Sequence, residues 1–482
     1  MNTGLSRTLS LSLISHTNVG KTTLARTLLG QDIGEIRDEA HVTDTADAHV
    51  LIESASGDRL LLWDTPGFGD SARLARRLQA SSDPIGSFLA ALWDRFRDRA
   101  FWSSQQAVRN VRDQADIVLY LVNASEAPEL AGYVDHEMQI LDWIGKPVVV
   151  LLNQLGKPRP AAEEAAEVDQ WRRHLSSAHH VRAVLSLDAF ARCWIQEATL
   201  LRTLASLLPD DDRPAFRRLF DAWMAARRET FDASIAVLVE RLARTAADRQ
   251  ALPEETLLGR LRPASAPGRR MAMRALAERL DADIRNGNDR LIALHGLAGS
   301  AGQDVLTRLA EQTVVHRPLS ESKAALLGGT VTGALAGLKA DLATGGLSFG
   351  AGLLAGGVIG ALSAFGLARG YNVVRGATTA SMTWSETMLD ELAITALLGY
   401  LAVAHYGRGR GDYTPSEHPP HWRPIVEQCI AARRESFTHA WSLREESAPR
   451  EALVEALTPL LTETALDVLE KLYPGSTSRE QI

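Results

Sequence analysis

Lysine is scarce in this chain of 482 residues. It stands only at positions 21, 146, 157, 323, 339 and 471, so nearly all of the 52 basic residues are arginine. Positive charge is also outweighed. With 59 acidic residues the net charge is −7 and the pI about 6.0, which gives no support to a general nucleic-acid binder, and no nucleic-acid partner is expected. Cysteine is nearly absent: Cys193 and Cys429 lie far apart, which excludes a disulfide scaffold and fits a reducing cytosol. Cys193 has no neighbour beyond Arg192 to activate it as a catalytic thiol. His405, His418 and His421 do not form a metal-ligand spacing. The first residues lack the cleavage pattern of a signal peptide, so a cytoplasmic location is expected. There is no internal repeat of solenoid period. What remains is ordinary for a globular protein, 45% hydrophobic and 23% charged.

Along residues 1 to 205, apolar runs of strand length alternate with helix-length segments. "TLSLSLIS", "RLLLWDT", "ADIVLYLVN", "PVVVLLNQ" and "VRAVLSL" are the expected strands. The pattern predicts an α/β domain, a mostly parallel sheet with helices on both faces, carrying a helical insertion over about 71–114. Residues 206–320 and 377–482 show helical periodicity. Between them, 321–376 shifts to glycine, alanine and leucine and is expected to form a helical hairpin.

Lys21, one of so few lysines, falls in the loop "SHTNVGKT", Ser15 to Thr22, between an apolar strand and a helix. Such a loop aims backbone N–H groups and a helix N-terminus at phosphates. Asn18, Val19, Gly20, Lys21, Thr22 and Thr23 are the expected cradle. Gly20 allows close backbone approach, Lys21 reaches the β- and γ-phosphates, and the Thr22 hydroxyl holds Mg²⁺. A second motif, "LLLWDTPGFGD", places Asp64 at a strand end to bind Mg²⁺ through water and Gly67 to sense the γ-phosphate through its N–H. Lys21, Gly67 and a switch threonine are the expected catalytic set.

Together "TNVGKTTL" and "WDTPG" resemble the translation-factor class of small GTPases, notably its Era/MnmE-like branch. "SHTNVGKT", "LDAFARCWIQE" and the downstream glycine block resemble, more narrowly, a bacterial family of GTPases with a DUF3482 C-terminal domain. The resemblance implies GTP and GDP as ligands with Mg²⁺. It implies a first switch within "HVTDTADAHV", where Thr45 fits the Mg²⁺-binding threonine and Thr43 is the alternative. It also implies K⁺ beside the phosphates, held by Asn18.

Three residues depart from that pattern. Ser15 replaces the first loop glycine, which is tolerable if its φ stays negative and is expected to weaken phosphate binding. Phe68 stands where Ras-like enzymes place a water-orienting glutamine, so hydrolysis is expected to be slow and to need another group or a cation. Asn153-Gln154-Leu155-Gly156 stands where Asn-Lys-x-Asp reads guanine. Asn153 can still hold the loops, Gly156 supplies no acceptor, and Asp188 is either a substitute acceptor or a helix N-cap. GTP is favoured by the rest of the pattern, with ATP or loose purine selectivity as the alternative.

Leu342 to Ala368 is 27 residues without a charge, containing eight glycines. As a helix it spans about 40 Å, enough for a bilayer core of about 30 Å. Gly352, Gly356 and Gly360 recur every fourth residue, and Gly333 and Gly337 repeat the spacing in the preceding segment. The block reads as a hairpin inserting in the inner membrane or meeting a membrane protein. The alternative is a tightly packed hairpin inside a soluble domain. Arg408 and Arg410 read as a helix C-terminus, with binding of lipid phosphates or action in trans on nucleotide as the alternatives. The function so read is a slow Mg²⁺-dependent GTPase switch coupled to a membrane. Two rivals stand beside it: a nucleotide-binding scaffold without turnover, and a membrane-remodelling protein whose effector is the glycine hairpin. The sequence leaves oligomeric state open.

Overall fold

A computed structural model describes residues 6–30, 47–79, 82–90, 99–156, 158–189, 193–252, 267–297, 371–375, 380–406, 419–445 and 449–475. The described residues fall into two compact units. One holds those up to Phe231, with 404–406 and those from Leu469 on; the other holds Asp232 to Val403 and 419 to Val468.

The first unit is built on a six-stranded sheet: β1 (Thr8–Ser15), β2 (Asp47–Glu53), β3 (Arg59–Asp64), β4 (Ile117–Asn123), β5 (Val148–Asn153) and β6 (Val181–Ser186), in the order β2-β3-β1-β4-β5-β6. All neighbours are parallel except β2, which runs antiparallel on the edge. "IVLYLVN" and "VVVLLN" are continuous apolar runs because β4 and β5 are covered on both faces. Ile14, Tyr120 and Val150 face one side and join a core with residues of α2 (Ser71–Gln79), α3 (Pro84–Ala90), α4 (Arg99–Asp113) and α5 (Gly132–Ile144). Leu13, Leu119 and Leu151 alternate onto the other side and are also buried. The expected insertion is therefore three helices, with a break before Pro84, where a proline can begin a helix but not continue one. Strand β2 was not among the expected strands. Its first residues, Asp47 to His49, are mostly polar and exposed, as an edge position permits, which leaves too short an apolar run to mark it.

The strand order reverses at β1. The next parallel strand, β3, lies on one side of it, and β4, β5 and β6 follow on the other. Ligands of such sheets bind beyond the carboxyl ends of the strands at this point. The loop after β1 enters α1 (Lys21–Leu29) there.

Asp58, fully buried in the β2–β3 turn, fastens this unit. Its carboxylate accepts hydrogen bonds from Arg218 Nε and Nη2 at 2.7 and 3.0 Å, from the Arg7 amide at 3.0 Å, and from the hydroxyls of Ser54 and Ser56. The Arg218 guanidinium holds this carboxyl well below the usual carboxylate range, against burial, with the Arg7 amide and the two hydroxyls adding to it. A depressed carboxylate contributes stability above its unfolded value, near pH 4, and that contribution is lost as pH falls toward the folded value. Asp58→Asn is expected to lower Tm by about 5 °C at neutral pH, and by progressively less below about pH 4, in thermal melts across pH 3–8.

The second unit is mainly helical but contains an antiparallel sheet in the order β7-β9-β8: β7 (Gln250–Ala251), β8 (Tyr371–Arg375) and β9 (Ala380–Trp384). These strands fall where only helices were expected. Two to five residues are too few for a period of two to stand out against flanking helical patterns. Helix Glu386–Ala404 is long and apolar enough to cross a membrane, but most of it is buried in the protein, as in a core helix. Trp384 and Trp441 are fully buried. Trp441 Nε1 donates to Asp390 at 2.8 Å, and Arg444 caps the Trp384 carbonyl at 2.9 Å. The glycine block at 321–370 and Arg408 and Arg410 lie outside the described residues.

Candidate functional site

The loop from Ser15 to Lys21 lies at the carboxyl end of β1. Gly20 has a φ of +90°, and a Cβ there would lie 3.0 Å from Asn153 Nδ2, so both backbone and space require glycine. Asn18, at the exposed rim, also adopts a left-handed backbone with a φ of +66°, which asparagine tolerates. Ser15 keeps the extended backbone of β1, as its replacement of glycine demands. Its hydroxyl joins the loop, donating to the His16 carbonyl at 2.5 Å and accepting from Lys21 Nζ at 3.3 Å. Thr23 and Val19 are buried behind the loop.

Lys21 is buried, and burial pushes its ammonium down in pKa, opposed by the charges of Asp64 and Glu137. Thr22 Oγ1 donates to Asp64 Oδ2 at 2.6 Å, while Asp64 Oδ1 is buried with no hydrogen-bond partner. Burial raises the Asp64 carboxyl, opposed by Lys21 and by the Thr22 bond. A hydroxyl beside a carboxylate oxygen left without a donor is a hard-oxygen pair that fits Mg²⁺. The switch threonine, Thr45 or Thr43, lies outside the described residues.

After Asp64 the chain turns back over the loop. Phe68 N donates to the Ser15 carbonyl at 2.9 Å, and Thr17 N donates to the Phe68 carbonyl at 3.2 Å, adding one rung to the parallel sheet. A Cβ on Gly67 would lie 3.0 Å from Lys21 Nζ and 3.1 Å from Thr17 N. Only glycine brings its main chain so close to both. The Phe68 side chain is fully buried in the core with Ile14, Leu74 and Tyr120.

At the far end, Asn153 ties two loops together. Its Nδ2 donates to the Val19 carbonyl at 2.8 Å and its Oδ1 accepts from the Ala189 amide at 2.9 Å. Gln154, beside it, takes a left-handed φ of +60°. Asp188 Oδ2 accepts from the Leu155 amide at 2.7 Å, so the carboxylate supports the 153–156 loop. Gly156, at φ +81°, has no atom within 4 Å of where a Cβ would stand, and Ser186 Oγ is buried without a partner.

The structure thus gathers Ser15, Asn18, Val19, Gly20, Lys21, Thr22, Asp64 and Gly67 at one end and Asn153 and Asp188 at the other. It adds residues the sequence reading passed over. His16 Nδ1 lies 2.7 Å from the fully buried carboxylate of Glu137, and its ring stacks on Tyr133 at 4.4 Å. The signal for Glu137 was a charged residue on the same helical stripe as Val134, Met138 and Leu141.

Residues 10–154 match the family described as "50S ribosome-binding GTPase", and residues 173–458 match "Domain of unknown function (DUF3482)", more than half of the chain. The chain belongs to the DUF3482 family. This DUF3482 protein carries a P-loop GTPase domain followed by a mainly helical region, as the motifs implied. No curated protein matches it. Among solved structures, an Era variant from Aquifex aeolicus bound to GDP·AlF4⁻ is 18% identical, over 42% of this chain and 58% of that one, with a TM-score of 0.31. Era in complex with MgGDPNP and a segment of 16S ribosomal RNA is 18% identical, over 43% and 58%, with a TM-score of 0.32. A GTP-binding protein from Sulfolobus solfataricus in complex with GDP is 17% identical, over 37% and 46%, with a TM-score of 0.24. The DUF3482 protein spans less than two thirds of each of these structures.

Proposed function

We propose that the chain binds GTP with Mg²⁺ and hydrolyses it slowly, as a nucleotide switch coupled to a membrane or a membrane-bound partner. The observation that carries the catalytic part is the corner where buried Lys21, the Thr22–Asp64 pair and the Gly67 main chain meet. Lys21 and the N–H groups at the start of α1 hold phosphate oxygens, and the Gly67 N–H reads the γ-phosphate. Thr22 and Asp64 would hold Mg²⁺, which when bound neutralises charge on the phosphate oxygens. Phe68, buried in the core, orients no water. That supports slow turnover and a cation at Asn18, for which we propose K⁺. Asn153 and Asp188 hold the base end, and guanine is proposed as the base on the strength of the GTPase family match.

Membrane coupling is supported by the uncharged stretch from Leu342 to Ala368, and the proposed location is the cytoplasm with 321–376 at the inner membrane. A second reading, a binding scaffold without turnover, is favoured by the departures at Ser15, Phe68 and Gly156. Phosphate release by the full chain with GTP and with ATP, in K⁺ and in Na⁺, separates them. GTP-specific release, faster in K⁺, is the expected result. Equal rates in the two salts remove K⁺, binding without release selects the scaffold, and binding of neither nucleotide overturns the reading.

A further inference from the structure

We propose that Glu137 is a positioning residue of the nucleotide site, acting through His16 and Ser71 to hold Gly67 at the tip of Lys21; the inference rests on the hydrolytic reading above. Glu137 lies on α5, fully buried, in a core where an apolar residue of its volume would pack without the penalty of a buried charge. Three side chains instead converge on its carboxylate. Oε1 accepts from Ser71 Oγ at 2.9 Å and lies 2.7 Å from His16 Nδ1, while Oε2 accepts from Tyr120 OH at 2.7 Å. These partners come from three places: His16 from the phosphate loop, Ser71 from the first turn of α2, and Tyr120 from the middle of β4.

Two of the three flank the segment that carries Gly67. His16 pairs with Phe68 through the backbone rung, and Ser71 begins the helix four residues after Gly67. Gly67 has no side chain by which to be held. Its approach to Lys21 and Thr17 depends on fastenings to either side. On the β3 side these are the Thr65 hydroxyl and amide, both bonded to the Leu13 carbonyl. On the α2 side they are the Phe68 rung, the Gly69 amide on Ser104 Oγ at 3.2 Å, and Ser71 on Glu137. Stacking on Tyr133, one turn before Glu137, fixes the His16 ring from the same helix. The carboxylate therefore joins the loop that cradles phosphate to the helix that follows the γ-phosphate reader.

Tyr120 supplies the control, because it touches the same carboxylate but belongs to neither the loop nor the segment. The test compares Ser71→Ala, Tyr120→Phe and Glu137→Gln with the unaltered full chain, measuring kcat for GTP and the affinities of fluorescent GTP and GDP analogues. Ser71→Ala is expected to lower kcat and the GTP-to-GDP affinity ratio about tenfold, with GDP affinity held within about twofold. Tyr120→Phe is expected to lower Tm while leaving kcat and that ratio unchanged. Glu137→Gln follows Ser71→Ala; should it fail to fold, the other two variants decide. Equal effects of Ser71→Ala and Tyr120→Phe, or a ratio that rises in Ser71→Ala, overturn the inference while leaving the hydrolytic reading intact. An unaltered protein that binds neither nucleotide overturns both.

Discussion

Lys21→Ala is expected to reduce phosphate release from GTP by about a hundredfold to a thousandfold while leaving Tm unchanged or raised. The two halves of this result have one cause. Lys21 is buried, its ammonium is disfavoured by that burial, and Ser15 Oγ meets it at 3.3 Å. A charge held out of water without a full set of acceptors adds little to the fold. On the proposed reading its counterpart is the anionic ligand, whose developing charge it would face during transfer. A malachite-green assay beside a thermal melt checks both halves. A collapse in Tm would make Lys21 structural and remove the main support for the site.

Phe68→Gln is expected to destabilise the first unit and to gain no turnover. In Ras-like GTPases a glutamine at this point orients water, so the substitution looks like a repair. Phe68 is fully buried, however, and its main chain is pinned to Ser15 and Thr17. An amide placed there loses the apolar contacts of the ring and buries polar atoms, at a cost of about 3 kcal/mol. For a unit of this size that is a fall in Tm of about 6–12 °C. The melt and a turnover assay at a temperature below both midpoints decide the matter. Faster hydrolysis in the variant would mean that the segment swings outward and that Phe68 does not set its position.

Both expectations concern residues that stood out in the sequence, and the phosphate end of the site was legible there for a reason. Gly20, Lys21, Thr22 and Asp64 lie at fixed spacing along one loop and one strand end, so the pattern is carried by short runs of contiguous residues. All five expected strands formed: β3, β4 and β5 stand out as apolar runs, β1 and β6 as apolar residues interleaved with polar ones. Strand β2 and the small sheet of the second unit escaped notice, the first being half polar and the second too short. Glu137 was out of reach for a different cause. Its partners at positions 16, 71 and 120 come together only in the folded chain, and a lone glutamate on an apolar stripe does not name them. Asp188 was legible as a residue but not as a contact. Its carboxylate accepts from the Leu155 amide, a contact with the 153–156 loop that forms only in the folded chain.

The side chain of Asn153 makes the two ends of the cleft a single preformed frame. Its Nδ2 holds Val19 of the phosphate loop, its Oδ1 holds Ala189 of the loop after β6, and Gly20 leaves room for the amide between them. The conformational entropy of these loops is therefore surrendered when the protein folds and not when a ligand arrives. A nucleotide bound as proposed would make its base-end and phosphate-end contacts with little further ordering of these loops. The two sets of contacts are also coupled: a change at Asn153 loosens the phosphate loop, and a change at Gly20 displaces the amide that steadies the base end.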